Sequence, residues 1–170
     1  MFVFGTADDV FGMAIRIEEN GFAFYDGAAK KTEEPAVKKL FQELANMEQG
    51  HVTAFKSLRA TIPAALLEPP VWDPEGLAES YLQATADTHI FTVEAAQDRL
   101  KKAMTADQTI DMAIQFEKDS VAFFLGMKEL LSNQDGKDEI NKLIDAEMQH
   151  VRMLSRAKWV LSRGGSTCIE

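Results

Sequence analysis

Apolar side chains recur at steps of three and four residues along most of the chain, the pattern of helices that bury one face. Between Phe11 and Tyr25 this stripe contains alanine, isoleucine and phenylalanine, with one acidic residue, Glu18. No segment shows a convincing strand pattern. The periodicity predicts four long helices. The first follows the N-cap Thr6 and runs through Lys31, and the second runs from Thr32 to about Ala60, with Glu33, Glu34 and Pro35 in its opening turn. The third begins at the capping box Thr105–Gln108, and the fourth follows a turn at Asn133–Gly136 and ends at about Arg163.

The segment between the second and third helices has a different composition. Four of the five prolines lie in IPAALLEPPVWDPEG, residues 62–76, which predicts a connection. Residues 77–103 are interpreted as one or two shorter helices. We therefore expect one domain over residues 1–163, with a crossover at about 61–104, and a flexible tail over 164–170 after the helix stop at Gly164 and Gly165.

The two halves of the chain repeat each other without a gap when the sequence is shifted by 99 residues. The shift superimposes Glu-x-x-His pairs, of which the first is Glu48 and His51 and the second is Glu147 and His150. It also places Glu18 on Glu117. The repeat predicts an all-α four-helix bundle built from two duplicated helical hairpins with an approximate two-fold axis.

Acidic residues and histidines at these positions indicate a metal site. Residues i and i+3 share one helix face, so each Glu-x-x-His pair can point its carboxylate and imidazole in one direction. A single such pair is usually an exposed charge pair, but both copies here follow a glutamate 30 residues upstream, Glu18 or Glu117, in an apolar stripe. Four buried carboxylates would cost several kcal/mol per uncompensated charge, which two divalent cations would offset. The pattern predicts a di-iron or di-manganese carboxylate centre.

Composition excludes several other classes of protein. The net charge of −9 argues against binding to nucleic acid, and no apolar run approaches the length of a membrane span. The single cysteine, Cys168, excludes an internal disulfide and a cysteine-only metal centre. We expect a cytoplasmic protein. The third histidine, His89, lies outside the repeat and is interpreted as structural or exposed.

The stretches AIRIEENGFAFYDGAAKKT and LFQELANMEQGH, together with AIQFEKDSVAFF and AEMQH, resemble the ferritin-like domain of the rubrerythrin family. The resemblance spans residues 6–160. It implies a left-handed crossover and a bridged di-iron centre, with Glu48 and Glu147 bridging and Glu18 and Glu117 terminal. It also implies that Tyr25 hydrogen-bonds a ligand carboxylate, on one side only because its repeat partner is Phe124.

The chain departs from that family at two points. One cysteine cannot build the four-cysteine rubredoxin-like domain of full-length rubrerythrins, so electrons would come from a separate donor such as a rubredoxin. Rubrerythrins also carry an additional glutamate that shifts one iron during turnover, and that position here is Ser120, with Gly21 as its repeat partner.

These features predict a non-haem di-iron oxidoreductase that reduces hydrogen peroxide, or reacts with dioxygen, and that forms a homodimer. Manganese in one or both positions is an alternative to two irons. Two other functions stay open: a ferroxidase or iron-handling protein, and a non-catalytic, metal-stabilised helical binding module.

Overall fold

The computed structural model describes residues 7–61, 80, 98, 100, 101, 105–131 and 134–163. Within these ranges the architecture is all-α and contains no strand. The four long helices are α1, Ala7–Lys31, α2, Pro35–Thr61, α3, Ala106–Leu130, and α4, Gln134–Ser162. The predicted four-helix architecture is confirmed.

Several predictions concern residues outside these ranges. Most of the crossover, the tail at 164–170, His89 and Cys168 are among them. The domain limits and the handedness of the crossover therefore stay predictions.

The helix starts show one prediction confirmed and two that need correction. Thr105 caps α3 with the predicted capping box, in which its hydroxyl accepts from the backbone of Gln108. The second helix begins at Pro35 and not at Thr32, because proline has no amide hydrogen to lose in a first helical turn. Gly136 is a buried residue of the first turn of α4 and not part of a preceding turn.

The helices pack as two hairpins, α1 with α2 and α3 with α4, and the hairpins then close on each other. Arg59 near the end of α2 donates two hydrogen bonds to the carboxylate of Asp8 near the start of α1. Aromatic rings fill the interior: the Phe55 and Phe124 rings lie 5.0 Å apart and join the two hairpins. Full burial of such a side chain contributes about 1.5–3 kcal/mol, so these rings are a large part of what holds the halves together.

Among the described helices, none combines the length and the apolar character that crossing a bilayer requires. The outer faces carry most of the charges. Glutamates outside the repeated Glu and Glu-x-x-His positions are expected at the helix surface, and five of them are exposed: Glu19, Glu33, Glu34, Glu43 and Glu139. The buried acidic side chains of the described residues, by contrast, lie together in the bundle interior.

Candidate metal centre

Six acidic and imidazole side chains converge inside the bundle, and they are the six predicted from the repeat. Each of the four helices contributes, because the apolar stripe of each helix faces the interior and the donors sit within those stripes. Five of the six are at most 1% exposed, and the sixth, His51, is partly exposed. The six are called the Glu/His cluster below: Glu18 on α1, Glu48 and His51 on α2, Glu117 on α3, Glu147 and His150 on α4.

The two imidazoles lie face to face at the centre of the cluster, with ring centroids 5.2 Å apart. Glu147 lies between them, with its carboxylate oxygens 2.7 Å from His51 Nδ1 and 2.9 Å from His150 Nδ1. Glu48 also reaches both rings, at 3.9 Å from His51 Nδ1 and 3.3 Å from His150 Nδ1. Four donor atoms, one from each of these residues, lie within 4.8 Å of one another. Glu48 and Glu147 thus occupy the shared middle of the cluster.

The other two carboxylates each face one imidazole. Glu18 Oε2 lies 3.3 Å from His51 Nδ1, and Glu117 Oε1 lies 3.4 Å from His150 Nδ1. Two carboxylates shared between the imidazoles and two at the ends is the arrangement that the resemblance implies. The ligand roles themselves stay a prediction of the sequence.

Tyr25 on α1 donates its hydroxyl hydrogen to Glu117 Oε1 on α3, so the predicted bond crosses from one hairpin to the other. The Tyr25 ring is fully buried, and its centroid lies 6.0 Å from that of the Phe41 ring. Burial, together with the nearby carboxylates of Glu117 and Glu48, raises the pKa of Tyr25 well above its ordinary value. The phenol therefore stays a donor. Phe124, the repeat partner of Tyr25, is equally buried and has no hydroxyl.

Gly21 is a site residue whose role the sequence did not disclose. A Cβ atom on Gly21 would lie 3.0 Å from Glu48 Oε2 and 3.0 Å from Phe116 Cε1. The absence of a side chain at Gly21 thus leaves room for the Glu48 carboxylate. A glycine in the middle of a long helix, three residues after Glu18, was the available signal, since it costs about 1 kcal/mol relative to alanine.

Ser120, the repeat partner of Gly21, is buried but takes no part in the cluster through its hydroxyl. That hydroxyl donates to the Phe116 carbonyl one turn earlier, at 3.2 Å. The structure therefore places no seventh acidic ligand at this position.

Burial and mutual repulsion shift the pKa values of the carboxylates in the cluster. Burial raises the pKa values of Glu18, Glu48 and Glu117 well above the ordinary value, and neighbouring carboxylates raise them further. Burial also opposes ionisation of Glu147, but the two imidazoles close to its carboxylate outweigh burial and lower the pKa of Glu147. Burial alone would lower the pKa of His150, and the surrounding carboxylates raise it instead. In the metal-free protein, bound protons therefore reduce the negative charge of the cluster.

The donor atoms fit a pair of divalent cations. Six buried polar atoms of the cluster make no well-aligned hydrogen bond to a described residue, although several lie close to an opposite charge: Glu18 Oε1, Glu48 Oε1, Glu117 Oε2, both carboxylate oxygens of Glu147, and His150 Nδ1. Leaving one such group unsatisfied typically costs about 1–3 kcal/mol, and more if it is charged. Carboxylates and imidazoles are ligands for iron, manganese and zinc, and inward-facing Glu and Glu-x-x-His sets hold such pairs in helical bundles.

The bundle and its donors define a ferritin-like protein with residues that suit a di-metal centre. Its structure is similar to that of a Thermotoga maritima protein described as a ferritin-like diiron-carboxylate protein, with a TM-score of 0.70 and 25% identity over 93% of this chain and 97% of that one. The rubrerythrin family model matches residues 9–67, which include all but the first two residues of α1, the whole of α2 and three of the six cluster residues. The predicted resemblance to the rubrerythrin family is thereby confirmed. No curated protein matches the chain.

Proposed function

We propose that the chain is a di-iron oxidoreductase that reduces hydrogen peroxide with electrons from a separate donor protein. The observation that carries the proposal is the Glu/His cluster, in which buried carboxylate and imidazole atoms converge without hydrogen bonds from the described residues. The similarity to a diiron-carboxylate protein and to the rubrerythrin family supports iron as the metal. Manganese in one or both positions would satisfy the same donors.

The six side chains would divide the work of holding two ions. Glu48 and Glu147 reach both imidazoles and would be shared between the ions, whereas Glu18 and Glu117 would each serve one. Two ferrous ions in this site would supply the two electrons that, with two protons, convert hydrogen peroxide to two water molecules. The protein's own contribution is to keep the donors converged and the surroundings dry.

His51 lies on the more open side of the cluster. Its side chain is 13% exposed, against 2% for His150. A molecule as small as peroxide would therefore reach the cluster most easily beside His51.

Electrons would come from another protein. One cysteine in the sequence cannot form the four-cysteine iron site of a rubredoxin, so the proposal includes a donor of that type as a partner. A homodimer and a cytoplasmic location belong to the same proposal and remain to be tested by sedimentation and by fractionation.

The test is stopped-flow mixing of the anaerobic, ferrous-loaded protein with peroxide or with dissolved oxygen at matched concentrations. Ferric absorbance should appear faster with peroxide, because a ferrous pair can deliver two electrons at once and full reduction of oxygen takes four. Glu147→Gln should slow the reaction by tenfold or more, whereas Glu43→Gln, on the exposed face of α2, should not change it. Steady turnover with an added reductant separates an enzyme from a binding module.

A ferroxidase is the second candidate, and Ser120 favours it. The Ser120 hydroxyl is bonded to a backbone carbonyl, so the position offers no extra carboxylate to hold the oxidised pair. Oxidation that is faster with oxygen, followed by departure of iron from the protein, would replace peroxide reduction with this function.

A further inference from the structure

The two halves of the Glu/His cluster are unequal although the repeat makes their donors alike. The Tyr25-supported half consists of Glu117 and His150, and the open half consists of Glu18 and His51. Glu117 Oε1 accepts the phenol hydrogen of Tyr25 from outside the ring of donors. On the other side the corresponding ring is Phe124, which has no hydroxyl, and Glu18 Oε1 makes no hydrogen bond to any residue that the structure describes.

Metal binding would affect the hydrogen bonds of the two terminal carboxylates, Glu18 and Glu117, differently. Glu18 Oε2 lies 3.3 Å from His51 Nδ1. Because that nitrogen is itself a candidate metal ligand, it would bind an ion in the loaded protein and no longer pair with Glu18. Tyr25 is not a member of the cluster, so its bond to Glu117 would persist when metal fills the cluster. The Tyr25-supported half is also better enclosed, since His150 is 2% exposed and His51 is 13% exposed.

We infer that the Tyr25-supported half is the high-affinity metal position and that the open half fills second and exchanges first. A hydrogen bond that orients a ligand carboxylate typically changes metal affinity by about 10–100-fold, which is enough to separate two binding steps. The inference rests on the proposed metal centre but not on peroxide chemistry. Tyr25 is accordingly a positioning residue, acting through Glu117.

The experiment is an anaerobic titration with Co²⁺ alone, followed by its visible absorption and by calorimetry. Co²⁺ binds similar donors without undergoing the redox reaction, so a protein that fails to reduce peroxide can still pass or fail this test. The wild-type chain should bind one equivalent tightly and a second about tenfold or more weakly. Tyr25→Phe should weaken the tight step by about 10–100-fold and leave the other step in place.

Single-half variants assign the steps. His51→Ala should keep the tight step and lose the weak one, whereas His150→Ala should lose the tight step. Ser120→Ala is the matched control, because it also removes a buried hydroxyl, one that is bonded to the Phe116 carbonyl and not to a carboxylate of the cluster. Equal affinities in the wild-type chain, loss of the tight step in His51→Ala, or an equal effect of Tyr25→Phe and Ser120→Ala would overturn the inference.

Discussion

Replacing Gly21 by alanine tests the close packing between α1 and the Glu/His cluster. The added Cβ would meet Glu48 Oε2 and Phe116 Cε1 at 3.0 Å, a few tenths of an ångström closer than an ordinary contact. Gly12, earlier in the same helix, has nothing within 4 Å of the corresponding position. The two glycines therefore share their helix and differ in what a methyl group would touch.

The expected magnitudes follow from two opposing effects. Alanine is favoured over glycine in a helix interior by about 1 kcal/mol, so Gly12→Ala should raise the melting temperature by roughly 2–4 °C for a chain of this size. At Gly21 the same gain is set against overpacking of about 1–3 kcal/mol. The net result for Gly21→Ala should be a loss of about 1 kcal/mol, or a difference of about 2 kcal/mol between the two variants.

The assay is thermal unfolding of both variants with and without metal, combined with a metal titration. The penalty at Gly21 should be larger in the loaded protein, because a carboxylate bound to metal cannot turn away from the new methyl group. Gly21→Ala should also bind metal more weakly, whereas Gly12→Ala should not. Equal stabilisation by the two substitutions, with unchanged metal affinity, would refute the reasoning.

Two further predictions concern the loaded and the metal-free states. Glu48→Ala or Glu147→Ala should lose at least one of two metals per chain, whereas Glu43→Ala on the surface should keep both, as measured by metal analysis after anaerobic loading; a wild-type chain that stays metal-free would disprove the site. The pKa values of Glu18, Glu48 and Glu117 are raised in the folded, metal-free protein. Above about pH 4.5 the folded state therefore keeps protons that the unfolded chain has released, and the stability of the metal-free protein should fall as pH rises. The two imidazoles, whose pKa values are also raised, act in the same direction above about pH 6.5, while the lowered pKa of Glu147 matters only in acid. Metal binding removes these protons, so the difference in melting temperature between loaded and metal-free protein should widen from pH 5 to pH 8; a constant difference would contradict the burial of these charges.

The convergence of the six donors could be predicted because it depends on helical periodicity and an internal repeat. Glu18 and Glu117 were expected inside the bundle from the apolar residues around them, and both are buried. Periodicity is a local property of the chain, so one sequence is enough to reveal it. The start of α2 was placed three residues early, because Thr32, Glu33 and Pro35 all suit a first turn and only backbone geometry distinguishes among them.

Contacts between the hairpins could be predicted less well. The resemblance to the rubrerythrin family implied that Tyr25 would bond a carboxylate, but the identity of that carboxylate, Glu117 on the other hairpin, depends on how the hairpins pack. The approach of Glu48 to Gly21 likewise depends on the distance between two helix axes. No local pattern carries that distance, which the side chains of both helices determine together.

The repeat has a consequence for how this molecule can vary. One hairpin carries two carboxylates and one imidazole, so two copies of a single hairpin would already supply a complete set of donors. In such a pair every substitution would appear twice, and a tyrosine gained on one side would be gained on both. Joining the hairpins in one chain removes that constraint, and the contrast between Tyr25 and Phe124, or between Gly21 and Ser120, is a difference that only the joined form can hold. Covalent linkage thus gives the protein independent control over two positions that symmetry would otherwise keep identical.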